Sequence, residues 1–401
     1  MRRILLVDED PVRLNKTQNA LFEYRGHIYM AGAQGGEAAL RELRANPCDV
    51  VISNMRMRGM DGALLFERIK EEHPDAVRIM LCSPNDQNAV FVALPVSHQV
   101  LADPCDGQTL FNAVERACRL RGLLTDSLLK QVGNIEKLPS IPAVYHQLMT
   151  AMANPDVSTK QVAQIVERDT AMAAKLLQLV NSACFGLSRS ITSLDQAVVY
   201  LGLELIRNLA LTVHVFSALE HTAMRSGFSL ESQQEHSLMV ARVAKRLVLK
   251  PSAARDVFTA ALLHDIGKLV LAVCVPAKFK TVVQTCSVTG RPGYEVEAEI
   301  LGVTHAEVGA YLLSLWGLPY PIVEAVAYHH NPAAAIERTF DTPSAVSVAE
   351  ALVNEAQGFK PSWDVKAHLS SLKVIDRLPR WTAIAREEIH LVNPALALVE
   401  R

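Results

Sequence analysis

Short β-branched runs alternate with helix-length amphipathic stretches over the first 121 residues. The apolar runs at 4–7, 50–52 and 79–81, and a weaker one at 100–101, are as short as buried parallel strands. Amphipathic segments near 12–25, 35–45, 62–72, 85–94 and 106–121 lie among them. This alternation predicts a doubly wound α/β domain of the (βα)5 type, with its chemistry at the carboxyl ends of the strands. Beyond residue 121 the strand pattern stops and apolar positions recur every three or four residues, as in Val162, Ile165, Val166, then Leu176, Leu177 and Val180. An all-α domain is expected there. The boundaries read as 1–121, a linker helix at 122–137 with Pro139 and Pro142 just beyond it, and 138–401, with a core at about 138–345. The C-terminal helices should pack on that core, because Leu369, Leu372, Val374, Ile375 and Trp381 need burial. A stripe at Leu110, Val114, Ala117, Leu120, Leu124 and Leu128 fits one helix between the domains, packing on its own domain or on a second subunit of a homo-oligomer.

Composition narrows the class. The chain has 401 residues, half of them hydrophobic, with a formal net charge of −2. A near-neutral chain lacks the basic field of a dedicated nucleic-acid binder, and the helical half has no basic recognition helix, so no nucleic-acid partner is expected. The longest dense apolar run, 269–275, stops at Pro276, short of a membrane span. The opening apolar run, 4–7, is too short for a signal peptide. None of the seven cysteines forms a CxxC pair, so a reduced, cytoplasmic protein without membrane contact is expected.

The segments ILLVDED at 4–10, VISNMRMRGMDG at 51–62, RIMLCS at 78–83 and ADP at 102–104 each follow an expected strand. In order and spacing they resemble response-regulator receiver domains. That family needs two acids and an Asp around magnesium, the Asp also being the phosphoryl acceptor, with a hydroxyl residue and a Lys on the phosphoryl oxygens. The resemblance places Asp8 and Glu9 at the acidic pair and Asn54 at the acceptor. Cys82 stands where Ser or Thr is expected, and Asp103 where Lys is expected. A carboxamide is a far poorer nucleophile than a carboxylate, and Asp103 repels where a cation is needed. Three of five groups are altered, so the implied receiver is degenerate and is not phosphorylated at Asn54. It serves either as a docking or dimerisation module or as a relic that keeps the second domain soluble. Weak magnesium binding at Asp8 and Glu9 fits both.

In the helical half the notable residues are His236, His264-Asp265 in LLHDIGK, His305, His329-His330 and Glu350. Imidazole and carboxylate together suit Fe, Mn or Zn. The same residues can instead serve structure: His264-Asp265 at a helix end, His305 ahead of a helix starting near Ala306, and His329-His330 closing a helix before Pro332. LPSIPAV at 138–144, ERDTAMAAKLLQLVNSACFG at 167–186 and ITSLDQAVVYLGLELIRNLAL at 191–211 resemble HDOD domains, the HD-related output domains. That resemblance implies an output module without established catalysis, acting on a protein partner such as a histidine kinase or a cyclic di-GMP enzyme. The His order also resembles the metal set of HD-GYP phosphodiesterases, with Lys268 in the HDxGK run. The GYP tripeptide is missing, Asn331-Pro332 follows the His pair, and Glu350 replaces an Asp. The alternative function is therefore a metal-dependent phosphohydrolase acting on a cyclic dinucleotide or nucleotide. Arg207, Arg242, Lys245 and Arg246 read as a solvated helix face or a patch for a phosphorylated ligand.

Overall fold

Five strands form one parallel sheet in the order β2-β1-β3-β4-β5. In this computed structural model they are β1 (Arg2–Val7), β2 (Ile28–Ala33), β3 (Val50–Asn54), β4 (Val77–Cys82) and β5 (Gln99–Ala102). The described helices between and after them are α1 (Pro11–Ala20), α2 (Gly36–Ala45), α3 (Gly62–Glu72) and α4 (Gly107–Arg119). The structure describes residues 2–83, 92–93, 96–119, 131–133, 135, 142–154, 156–181, 190–211, 228–248, 251–335, 340–359 and 363–392. Most of the helix expected at 85–94 and most of the expected linker helix lie outside them.

The order follows from right-handed crossovers on both sheet faces. β3 and β4 are buried along their whole length, which is why they read as continuous apolar runs rather than alternations. β2 carries no dense apolar run: IYMAGA sits at the sheet edge with only Ile28 and Ala33 buried, so periodicity alone does not reveal it. α1 ends at Ala20, earlier than the expected 25, because residues 22–24 tighten into a 3-10 turn. The register sets Val7 beside Ser53, Asn54 beside Leu81 and Cys82 beside Ala102, so Asp8, Asn54, Cys82 and Asp103 meet at the carboxyl edge.

The remaining described elements are helical: α5 (Pro142–Ala153), α6 (Thr159–Val166), α7 (Thr170–Val180), α8 (Leu194–Leu211), α9 (Leu230–Leu247), α10 (Pro251–Leu263), α11 (Ile266–Cys274), α12 (Pro276–Thr289), α13 (Gly293–Leu301), α14 (His305–Leu315), α15 (Tyr320–Tyr328), α16 (Thr342–Ala356), α17 (Val365–Ser371) and α18 (Leu378–Val392). Two compact units result: residues 1–136, 178–190 and 311–318 in one, the rest in the other. In the second, α9 packs against α10, α16 and α18, and α15 against α10 and α16. Leu369 and Trp381 are buried, but Ile375 is 37% exposed in a 3-10 turn, and Leu372 and Val374 are only half-buried. The expected burial of these last three is corrected: the short turn after α17 points them outward. The stretch Asp256–Cys274 has the length and hydropathy of a span, but His264-Asp265 divides it into α10 and α11, and 78% of it is buried inside the protein.

Candidate functional site

The receiver pocket contains a reversed polar pair. Asn54, 5% exposed, donates from Nδ2 to Asp103 Oδ2 at 3.0 Å and accepts from the Arg56 amide at 2.9 Å. The Asn54 amide is thus matched to the Asp103 acid, the two residues that the resemblance sets at the acceptor and Lys positions. Asp8 is buried, and burial pushes its carboxyl above the ordinary value while its hydrogen bond from the Asp10 amide and nearby Arg13 oppose. Cys82 is a buried thiol at the strand edge. Glu9 accepts from the Arg58 amide at 2.5 Å.

The larger site lies in the helical unit. α10 ends just before His264, and Asp265 occupies the cap position of α11 without capping it by its side chain. α11 then crosses α14 at a glycine contact. A Cβ on Gly267 would stand 1.8 Å from the His305 carbonyl oxygen, and one on Gly309 2.9 Å from the Gly267 nitrogen. This approach sets Asp265 beside His305, the first residue of α14. His329 is the C-cap of α15 and brings His330 with it. α9 supplies His236 and Gln233, and α16 supplies Glu350.

Three imidazoles are oriented alike. His264 Nδ1 lies 2.6 Å from the Ala261 carbonyl, His329 Nδ1 2.7 Å from the Val326 carbonyl, and His305 Nδ1 2.6 Å from Glu297 Oε2. Those acceptors fix the proton on Nδ1 of each ring and leave Nε2 facing inward. All three Nε2 atoms converge on Asp265: His305 at 3.0 Å and His329 at 3.8 Å from Oδ1, His264 at 3.3 Å from Oδ2. His330 Nε2 lies 2.9 Å from His305 Nε2. Lys268 and Gln233 hold Asp265 Oδ2 at 2.6 and 2.7 Å. Asp265 Oδ1 and His264 Nε2 are buried without a hydrogen-bond partner. Such orphaned atoms are costly in a dry site, and a cation among them satisfies both.

Two ligand sets result, each with donor atoms within 4.8 Å of one another: Asp265, His305, His329 and His330, and His236, His264 and Glu350. Every transition-metal candidate from the sequence falls in one of them. The imidazole-rich donors with carboxylates fit a transition metal rather than magnesium. Burial and the cluster's own charges set its electrostatics. Burial would raise Asp265, but Lys268 and His264 hold it well below the carboxylate range. Burial lowers His305, but the Glu297 carboxylate outweighs it and takes the ring up to about 9. Burial pushes Glu350 up to about 7 and His236 down to about 3, and pushes His329 and His330 far below the ordinary imidazole value.

Sequence reasoning missed Glu297 and Gln233. Glu297 is 1% exposed and also accepts the His305 backbone amide at 2.7 Å. Nothing in GYEVEAEIL marks it off from solvent-facing helix acids. Arg246 pairs with Glu387 and Glu388, and Lys245 lies over the Phe258 ring, so both belong to the packing of helix surfaces. A cavity of about 830 Å³ opens beside the cluster, lined by Lys268, Tyr294, His305, His330, Glu350 and Trp363 among others. Tyr294 stacks on His330 at 4.4 Å.

The model of the response regulator receiver domain matches residues 4–115, and that of the HDOD domain matches 138–332. The chain joins a receiver domain to an HDOD domain. An uncharacterized protein of Treponema pallidum is 26% identical over 237 residues, 59% of this chain and 46% of that one. Transcriptional regulatory protein GlrR of Escherichia coli is 32% identical over 124 residues, 31% of this chain and 28% of its own length. The chain thus spans less than half the length of either. Among solved structures, the MmoQ response regulator of Methylococcus capsulatus superposes with a TM-score of 0.50 at 21% identity, covering 62% of this chain and 98% of that one. The virulence factor cj0248 of Campylobacter jejuni does so at 0.51 and 22%, covering 68% and 96%. At such identities these two structures speak for the fold alone. The receiver–HDOD fusion makes this a response-regulator-like signalling protein.

Proposed function

We propose that the protein is a cytoplasmic regulator whose receiver is closed to phosphorylation and whose HDOD domain holds a transition metal, Fe, Mn or Zn. Through that domain it binds and biases a protein partner, for which a histidine kinase or an enzyme of cyclic di-GMP turnover is the candidate. The observation that carries the reading is the convergence of three Nε2 atoms on Asp265 while each Nδ1 is tied off. Asp265, His305, His329 and His330 would form one ligand set, with His236, His264 and Glu350 a second beside it. Glu297 would orient His305 as a carboxylate behind a ligand imidazole. Glu297→Gln is expected to weaken zinc or manganese binding by about 10- to 100-fold, measured by equilibrium dialysis. Unchanged affinity would remove metal binding from the role of His305.

For the receiver, Asn54→Asp alone would set a buried carboxylate about 3 Å from the half-buried Asp103 carboxylate, which opposes ionisation of both. It is expected to lose stability and to take up no phosphoryl group from acetyl phosphate. Asn54→Asp with Asp103→Lys replaces that repulsion with an ion pair and is expected to recover the lost stability, measured by thermal unfolding. Labelling of the wild type would contradict a closed receiver.

A metal-dependent phosphohydrolase is the second reading, favoured by the cavity that His305, His330, Lys268 and Glu350 line. A bound metal would supply an activated water. Glu350, which lines the same cavity, would then serve as the general base. Hydrolysis of cyclic di-GMP by metal-loaded protein, lost in His264→Ala, would favour this reading over partner regulation.

A further inference from the structure

Receiver domains generally bind magnesium, yet the acids of this receiver are met by the chain's own donors. Asp8 Oδ1 accepts from the Asp10 amide at 2.9 Å and lies 3.2 Å from Arg13 Nη2. Arg13 Nε is shut off from solvent, 3.6 Å from Asp10 Oδ2. Glu9 Oε2 takes the Arg58 amide, Asn54 Oδ1 the Arg56 amide, and Asp103 Oδ2 the Asn54 side chain. Among the described residues, the ligand sets gathered to within 4.8 Å are both in the helical unit, and neither includes Asp8, Glu9 or Asp103. Magnesium demands near-octahedral oxygen ligands at short range and gives up its water reluctantly. This pocket does not fit it.

We propose that Arg13 is the resident cation of the receiver pocket and makes the domain independent of magnesium. Arg13 is the third residue of α1, and Asp10 caps that helix by accepting from the Val12 amide. The cap fixes the first turn and so delivers the guanidinium to Asp8. One fixed positive charge then offsets an acid that is only 10% exposed, and no ion need be dehydrated. The pair itself contributes little stability, since the Arg13 side chain is 42% exposed. Its consequence is for ion binding. A receiver whose acceptor is an amide and whose cation is covalently its own is set by its sequence, whatever the magnesium level.

The test is calorimetric titration of the full-length protein with magnesium chloride. The HDOD donors, rich in imidazole, are poor magnesium ligands, so heat reports on the receiver. Wild type and Arg13→Lys are expected to give no saturable binding at millimolar magnesium. Arg13→Ala is expected to bind at least about tenfold more tightly, because the competing charge is gone. Adding Asp8→Asn to Arg13→Ala should abolish that binding. The proposal is overturned if wild type binds as tightly as Arg13→Ala, if neither binds, or if the heat survives Asp8→Asn. Because Arg13 is half-exposed, Arg13→Ala is expected to keep its fold, which circular dichroism checks. A failure here leaves the HDOD metal reading untouched, since none of its ligands is altered.

Discussion

Gly267→Ala is expected to be among the most damaging single-methyl additions in the protein. The added Cβ would lie 1.8 Å from the His305 carbonyl oxygen and 2.8 Å from the Gly309 nitrogen, both backbone atoms that cannot rotate away. α11 or α14 must shift, and overpacking of this kind costs about 1–3 kcal/mol or more. For a unit of this size that corresponds to a fall in Tm of roughly 2–12 °C. Because Asp265 sits at the cap position of α11 and His305 opens α14, the shift also pulls apart two proposed ligands. Thermal unfolding and metal content should therefore fall together. A variant with wild-type Tm would mean that the helices do not approach at these glycines.

Asp265→Asn removes the hub of the cluster without changing its size. Lys268 and His305 then lose their shared anion in a site where Asp265 is 1% exposed. Breaking a buried pair from one side costs about 3–5 kcal/mol, and the lower end applies here because the Lys268 side chain is 24% exposed and can turn toward water. The folded-state carboxyl is held well below its ordinary value. Its contribution to stability is therefore in place above the unfolded pKa of about 4 and is lost as pH falls through the folded value. Urea unfolding at pH 7 should separate wild type from Asp265→Asn, and the gap should close in strong acid. A gap that widened in acid would reverse the sign and contradict the charge assignment.

Much of this was legible in the sequence, for reasons that differ by residue. Asp8, Asn54, Cys82 and Asp103 could be placed because each ends or directly follows a strand, and a parallel sheet aligns those ends. β2 escaped because an edge strand needs no continuous apolar run. In the helical half, His264, Asp265, His305, His329, His330, Glu350 and His236 stood out by residue type and order, and the structure gathers them into two sets. Their structural roles are real as well: His329 is a helix C-cap and His305 opens α14. Glu297 and Gln233 stayed hidden because each looks like an ordinary helix polar residue until a distant segment covers it. The Gly267–Gly309 contact was hidden for the same reason, since it joins positions more than forty residues apart. Ile375 failed in the other direction: an apolar residue in a short turn can remain outside.

The most direct measurement is the transition-metal content of the full-length protein purified without chelator, beside His264→Ala prepared identically. About one or two Fe, Mn or Zn per chain are expected in the wild type, from the two donor sets, with a marked loss in His264→Ala. A wild-type protein that carries no metal, and takes up none on dialysis against each ion, would contradict a metal centre and leave the cluster as packing alone.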